Sequence, residues 1–158
     1  MTTAPMNADR VINGSYGSLH VVQSSGSTTL APEYLAQVRS VTARIAINRQ
    51  EIVPVGDSWT RYKKTNYTGD GSFVLWKATS KFIKLMEEAV NTKSVPRLAL
   101  NIVLEDPESL GVEEIQLNDV KIWEVPMGFD AGELIEETIQ FTFEGFIVVK
   151  QITGDVWT

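Results

Sequence analysis

Apolar and polar residues alternate with a period of two through most of this chain. In 38–48, Val41, Ala43, Ile45 and Ile47 fall on one face and Thr42, Arg44, Ala46 and Asn48 on the other, the pattern of a half-buried strand. The segment 71–77 carries apolar side chains on both faces, Phe73 and Leu75 against Val74 and Trp76. In 97–106, Leu98, Leu100, Ile102 and Leu104 alternate with Ala99, Asn101 and Val103. The pattern predicts a further strand pair at 113–119 and 120–126, then a long strand over 134–150. There Ile135, Ile139, Phe141 and Phe143 share a face opposite Glu136, Thr138, Gln140, Thr142 and Glu144. Trp76, Trp123, Phe141, Phe143 and Phe146 are spaced for a strand core.

One segment changes period. Phe82, Ile83, Leu85, Met86, Ala89 and Val90 recur at helical spacing, with Ser80 placed as an N-cap. Lys81 and Lys84 stand early and Glu87 and Glu88 late, against the helix dipole. That cost is tenths of a kcal/mol per charge, whereas burying Phe82, Leu85 and Met86 contributes about 1.5–3 kcal/mol each. Packing therefore decides for a helix at about 80–91. Between the periodic segments lie a Ser/Thr/Gly-rich stretch at 23–32, a Gly-Asp-Gly turn or bulge within 66–72, an acidic loop at 105–114 and a Gly-containing turn at 126–133.

The connection at about 48–64, NRQEIVPVGDSWTRYKK, is far longer than the roughly 4–6 residues usual in compact domains. Ile52, Val53, Val55, Trp59 and Tyr62 recur through it, which argues against plain disorder. The fold class expected is mainly β (α+β): a β-barrel or sandwich with one flanking helix and a long projecting loop, in one domain spanning 1–158.

Composition narrows the function. With 158 residues, 43% hydrophobic and 22% charged, the chain has enough length for a sizeable core. No basic segment followed by an apolar core opens it, and no apolar run approaches the roughly 18 residues of a spanning helix; synthesis in the cytoplasm and no membrane segment are expected. There is no Cys, hence neither disulfide nor thiolate chemistry. Net charge is −6, unevenly spread: 1–104 carries twelve Lys/Arg against seven Asp/Glu, and 105–144 carries twelve Asp/Glu against Lys121 alone. Such segments either fold against each other or mark separate surfaces suited to head-to-tail self-association. The acidic surplus argues against stable nucleic-acid binding.

Catalytic patterns are missing. His20 is the only His and lies in the strand-like LHVV, where a structural role is the simpler reading. Without Cys or a second His the common zinc sets cannot form. No G-x-S-x-G elbow, P-loop or dinucleotide fingerprint occurs. Adjacent carboxylates such as Glu113-Glu114 and Glu136-Glu137 point to opposite strand faces and do not make acid/base dyads. Trp59 and Trp157, in the long loop and next to the last residue, are candidate interface anchors. Two classes remain: a self-assembling structural protein, or a small β-rich binding or enzyme domain.

The stretches 11-VINGSYGSLHV-21, 39–86 with INRQE, VGDSW, YKKT and SKFIKL, and 135-IEETIQFTFEGFIVV-149 resemble the PBSX-like phage tail tube protein family. The resemblance covers most of the chain in the family's order. It implies a barrel or sandwich with a flanking helix, assembled as hexameric rings stacked into the hollow inner tube of a contractile tail. It also implies no catalysis and no cofactor. Implied partners are other copies of the chain, the tail sheath protein, baseplate, tail terminator and tape measure proteins, and DNA passing without specific binding. The implied location is the virion tail, or a phage-tail-like particle, made in the bacterial host. Type VI secretion tube proteins are similar in fold, so a tube of a related contractile injection system is the alternative.

Within that resemblance the long loop becomes the assembly element, ordered only in the tube. Expected interface residues are Arg49, Glu51, Val53, Asp57, Trp59, Arg61, Lys63 and, near the C-terminus, Trp157. The polar strand faces become the channel lining: Thr42, Arg44, Glu136, Thr138, Gln140 and Glu144. Residues 1–10 are expected to be a disordered arm until they join a neighbour, and 151–158 a contact to the next ring or the sheath.

Overall fold

The computed structural model describes residues 6–23, 33–34, 37–109 and 111–153. Among these residues eight strands and one α-helix occur in the order β1 (Gly17–Gln23), β2 (Glu33–Tyr34), β3 (Val38–Ile52), β4 (Arg61–Trp76), α1 (Lys81–Thr92), β5 (Leu98–Leu104), β6 (Glu113–Glu124), β7 (Glu136–Phe143) and β8 (Gly145–Lys150). They form one curled antiparallel sheet of order β2-β1-β5-β6-β7-β4-β3, with β8 also on β6. No ladder joins β3 to β1 among the described residues, so the sheet leaves β3 with an open edge.

The expected mainly β fold with one flanking helix is what forms. Leu19, Val21, Phe73, Leu75, Leu98, Leu100, Leu117, Val120, Ile122, Ile139, Phe141 and Phe143 come from both halves of the sheet and meet in one core. Helix α1 closes this core with Phe82 and Leu85; the Phe82 ring stands edge-on to Phe73 at 5.4 Å. Ser80 takes the N-cap position but makes no side-chain cap hydrogen bond, and Lys93 ends the helix in the left-handed region at φ 56°.

Five expectations change. Residues 113–126 are not a strand pair: β6 runs through, and Asp119 takes φ 52° as a bulge. Leu98 pairs with Val120 but Leu100 with Leu117, so β6 holds one extra residue against β5. The extra residue moves the inward positions from Leu117 to Val120 and Ile122, keeping apolar groups in the core past the bend. The long strand 134–150 breaks at Glu144, whose N–H donates to the Asn118 carbonyl (3.2 Å) at the same corner. β7 and β8 thus follow β6 on either side of one bend.

The Gly-Asp-Gly segment is regular mid-strand, neither turn nor bulge; the irregularity in β4 falls just before it, between Lys64 and Tyr67. Gly69 and Gly71 pair with Phe143 and Phe141, and the two rings lie over the glycines. The aromatic positions also separate: Phe141 and Phe143 are buried, while Trp76, Trp123 and Phe146 are exposed because β4, the far half of β6 and β8 each have an uncovered face.

The fifth change concerns the projecting loop. Arg49, Gln50, Glu51 and Ile52 pair with Lys64, Lys63, Tyr62 and Arg61, so only 53–60 connects the strands. The expected loop is a long β-ribbon, paired within a single chain rather than ordered only on assembly. No period-two burial runs through it, because backbone pairing tolerates any side chain where both faces of a ribbon meet solvent.

Candidate assembly surface

β4 pairs with β7 only from Gly69 to Trp76. From Arg61 to Thr68 its sole strand partner among the described residues is β3, so the outer part of the ribbon extends past the sheet. Every residue from Arg61 to Thr68 is exposed. The tip is apolar nonetheless: Val53, Val55 and Trp59 stand 74%, 104% and 75% exposed, with Ile47, Ile52, Tyr62 and Tyr67 exposed along the shaft. Scattered exposed apolar residues are ordinary, but a contiguous set on one projection marks a contact surface.

The tip's charges are organised locally. Asp57 accepts from the Trp59 backbone N–H (3.0 Å) and from Arg61 Nη2 (2.9 Å). The backbone N–H and then the guanidinium hold the Asp57 carboxyl below its ordinary range. The Arg49 guanidinium lies 5.0 Å from the centre of the Tyr62 ring and Lys64 Nζ 3.0 Å from the Tyr67 hydroxyl. Arg49, Glu51, Val53, Asp57, Trp59, Arg61 and Lys63 are therefore all brought to one ribbon end. Trp157 lies outside the described residues.

A polar face runs across β3, β4 and β7. The register aligns Thr42 with Ser72 and Gln140, Arg44 with Asp70 and Thr142, and Ser40 with Val74 and Thr138. Arg44 Nε donates to Asp70 Oδ1 at 2.8 Å; this bond raises the Arg44 pKa above, and lowers the Asp70 pKa below, the ordinary values. Glu136 pairs with Arg39 (2.9 Å) and Glu144 with Lys121 (3.5 Å). Thr42, Arg44, Glu136, Thr138, Gln140 and Glu144 all lie on this face, Glu144 at its corner. Asp70, Ser72 and Trp123, whose indole N–H donates to Thr142 Oγ1 at 2.7 Å, belong to it too. Sequence reasoning missed these three because 66–72 read as a turn or bulge and Trp123 as core. The Arg44–Asp70 pairing becomes visible once the ribbon register is known.

At the far end of β4, the connection 125–135 between β6 and β7 edges an open cleft of about 610 Å³ lined by Lys77, Met127, Phe129, Asp130, Glu133, Leu134 and Glu137. Glu137 is buried, with Oε1 3.2 Å from Lys77 Nζ in an ion pair that lacks an aligned hydrogen bond. The basic and acidic halves of the chain do meet: Arg39, Lys77 and Arg97 pair with Glu136, Glu137 and Asp119. They neutralise each other in part, and charge remains at both ends of the ribbon.

Near the N-terminus, residues 8–10 form a 3-10 turn. Arg10 Nη1 donates to the Glu108 carbonyl at 3.0 Å, and the buried Asp106 carboxylate accepts from the Asn13 N–H at 2.8 Å. The end of the expected free arm is thus held on the 105–109 loop. His20 sits on the exposed outer face of β1. Among the described residues no group of three or more His, Asp or Glu could hold a metal ion, and no helix is long and apolar enough to cross a membrane.

A family model described as phage tail tube protein matches residues 4–149. The chain belongs to the phage tail tube protein family. Phage-like element PBSX protein XkdM of Bacillus subtilis (strain 168) is 31% identical over 151 residues, 94% of this chain and 97% of XkdM. The fold of this tail tube protein is shared with a chain of an extracellular contractile injection system sheath–tube complex (TM-score 0.63, 12% identity, 93% of this chain and 95% of that one). It is shared equally with the SPP1 tail tube (TM-score 0.63, 12% identity, 90% and 81% covered). The protein is a structural component of the phage tail, and its place is in the tail of the particle.

Proposed function

We propose that this tail tube protein polymerises as hexameric rings stacked into a hollow tube, with the β3–β4 ribbon as the element that joins copies. The observation that carries this reading is the ribbon beyond Gly69. It is a paired structure that displays Val53, Val55, Trp59, Tyr62 and Tyr67 to solvent, with no further strand beneath it among the described residues. A monomer gains nothing from such exposure, whereas a neighbouring copy buries it.

In this reading the polar face around Thr42, Arg44, Thr138 and Gln140 lines the channel. Its charges are largely paired within the chain, so passing DNA meets hydroxyls, amides and neutralised ion pairs rather than free cations. The protein acts by assembly, without catalysis or cofactor. A surrounding sheath is supported by the shared fold with the sheath–tube complex chain; baseplate, tail terminator and tape measure proteins complete the partner set. The same likeness supports a tube for an injection-type particle as the second reading. Electron microscopy of the purified protein tests both: tubes of sixfold rings are expected, and monomers at every concentration would refute assembly. Trp59→Ala combined with Arg49→Glu is expected to leave a folded monomer that forms no tubes.

A further inference from the structure

We propose that the tip of the β3–β4 ribbon docks into the cleft between Lys77 and the 126–137 segment of a second copy in the next ring. The pairing rests on the tube reading and gives it a receptor.

Three observations support it. The two surfaces sit at opposite ends of one strand: Arg61 opens β4 at the tip, and Trp76 closes it opposite Glu136, beside the cleft. At roughly 3.3 Å per residue they are about 50 Å apart along the strand. Tip and receptor on opposite poles make a head-to-tail contact, which no twofold closes and which repeats indefinitely.

Their charges complement each other after internal pairing is removed. At the tip Arg61 is spent on Asp57, leaving Arg49, Lys63 and Lys64 against Glu51. At the cleft Lys77 is spent on Glu137 and Arg39 on Glu136, leaving Asp130 and Glu133. A doubly positive tip faces a doubly negative cleft.

Both surfaces are also apolar. Met127, Phe129 and Leu134 on the cleft rim are each more than 80% exposed, as unusual for a lone chain as the exposure of Val55 and Trp59. A space of about 610 Å³ falls in the range of sites that enclose small organic molecules (roughly 300–1,000 Å³) and has room for the Trp59 indole. Burying that ring against Phe129 and Leu134, ringed by Lys63, Lys64, Asp130 and Glu133, gives an aromatic anchor with a charged rim.

Because the chain has no Cys, a disulfide trap has no background. Val55→Cys and Phe129→Cys in one chain, both at exposed positions, are expected to give a reductant-sensitive ladder of covalent multimers when tubes are oxidised; each single variant gives none. Reversing the tip with Lys63→Glu and Lys64→Glu should raise the concentration needed for tubes roughly tenfold or more. Adding Asp130→Lys and Glu133→Lys should restore it to within about threefold. Tubes that form without a ladder, or a fourfold variant no better than the tip variant, overturn the pairing and leave the tube reading intact. Wild-type protein that forms no tubes overturns both. Circular-dichroism melts matching wild type confirm that the charge variants fold.

Discussion

Gly69 lies beneath the ring of Phe143, so close that a Cβ would stand 2.5–2.7 Å from three ring carbons. Two residues on, a Cβ at Gly71 would run into the Thr42 carbonyl oxygen and the Ala43 Cα, which are backbone and cannot swing away. Gly71→Ala is therefore expected to destabilise by about 1–3 kcal/mol. Gly69→Ala costs less, since a ring can tilt. Thermal melts of the two variants check the order; equal midpoints would contradict it.

The Lys77–Glu137 pair predicts a non-additive cycle. Glu137→Leu alone leaves a half-covered ammonium beside an apolar strand and lowers stability. Replacing both, Lys77→Met with Glu137→Leu, should recover most of the loss, because a buried ion pair does little better than apolar residues of like size. Chemical denaturation of the four variants measures the coupling.

The two caps of helix α1 should respond differently. Ser80→Ala is expected to be near neutral instead of costing the ~1 kcal/mol of a working cap, since its side chain caps nothing. Lys93→Gly should stabilise by about 1 kcal/mol, relieving a left-handed backbone that glycine adopts freely. Phe82→Ala should cost about 3–5 kcal/mol through loss of the ring against Phe73.

The ribbon tip should loosen in acid. The Asp57 carboxyl is held below its ordinary value by the Trp59 N–H and Arg61. The contribution is thus present above the unfolded carboxyl pKa of about 3.9 and lost as pH falls through the lower folded value. The Trp59 amide resonance is expected to shift in that window, and Asp57→Asn, which keeps an acceptor but cannot ionise, should abolish the transition.

Much of this structure was legible in the chain. The alternation in 97–104 and 136–143 and the helical spacing of Phe82, Leu85 and Met86 identify the core, since burial itself imposes those periods. The polar positions Thr42, Thr138 and Gln140 followed from the same alternation. What escaped notice depends on pairing. The stretch 113–126 reads as two strands divided after Asp119, yet a bulge with a left-handed backbone at Asp119 keeps β6 continuous. Gly69-Asp70-Gly71 reads as a turn or bulge because the space for two glycines is created by rings 74 and 70 positions away. The 48–64 segment reads as a loop because a ribbon exposed on both faces has no hydrophobic period to display.

The ribbon also has a mechanical consequence. If its tip is gripped by one neighbour while Gly69–Trp76 is anchored on β7, a pull along the ribbon loads the β4–β7 hydrogen bonds in shear. Those bonds run perpendicular to the strands, so they must give way together instead of unzipping one by one. A flexible tether would transmit such a load only once pulled taut. Built as paired strand continuous with the core, the ribbon lets each subunit bear tension along the strand direction.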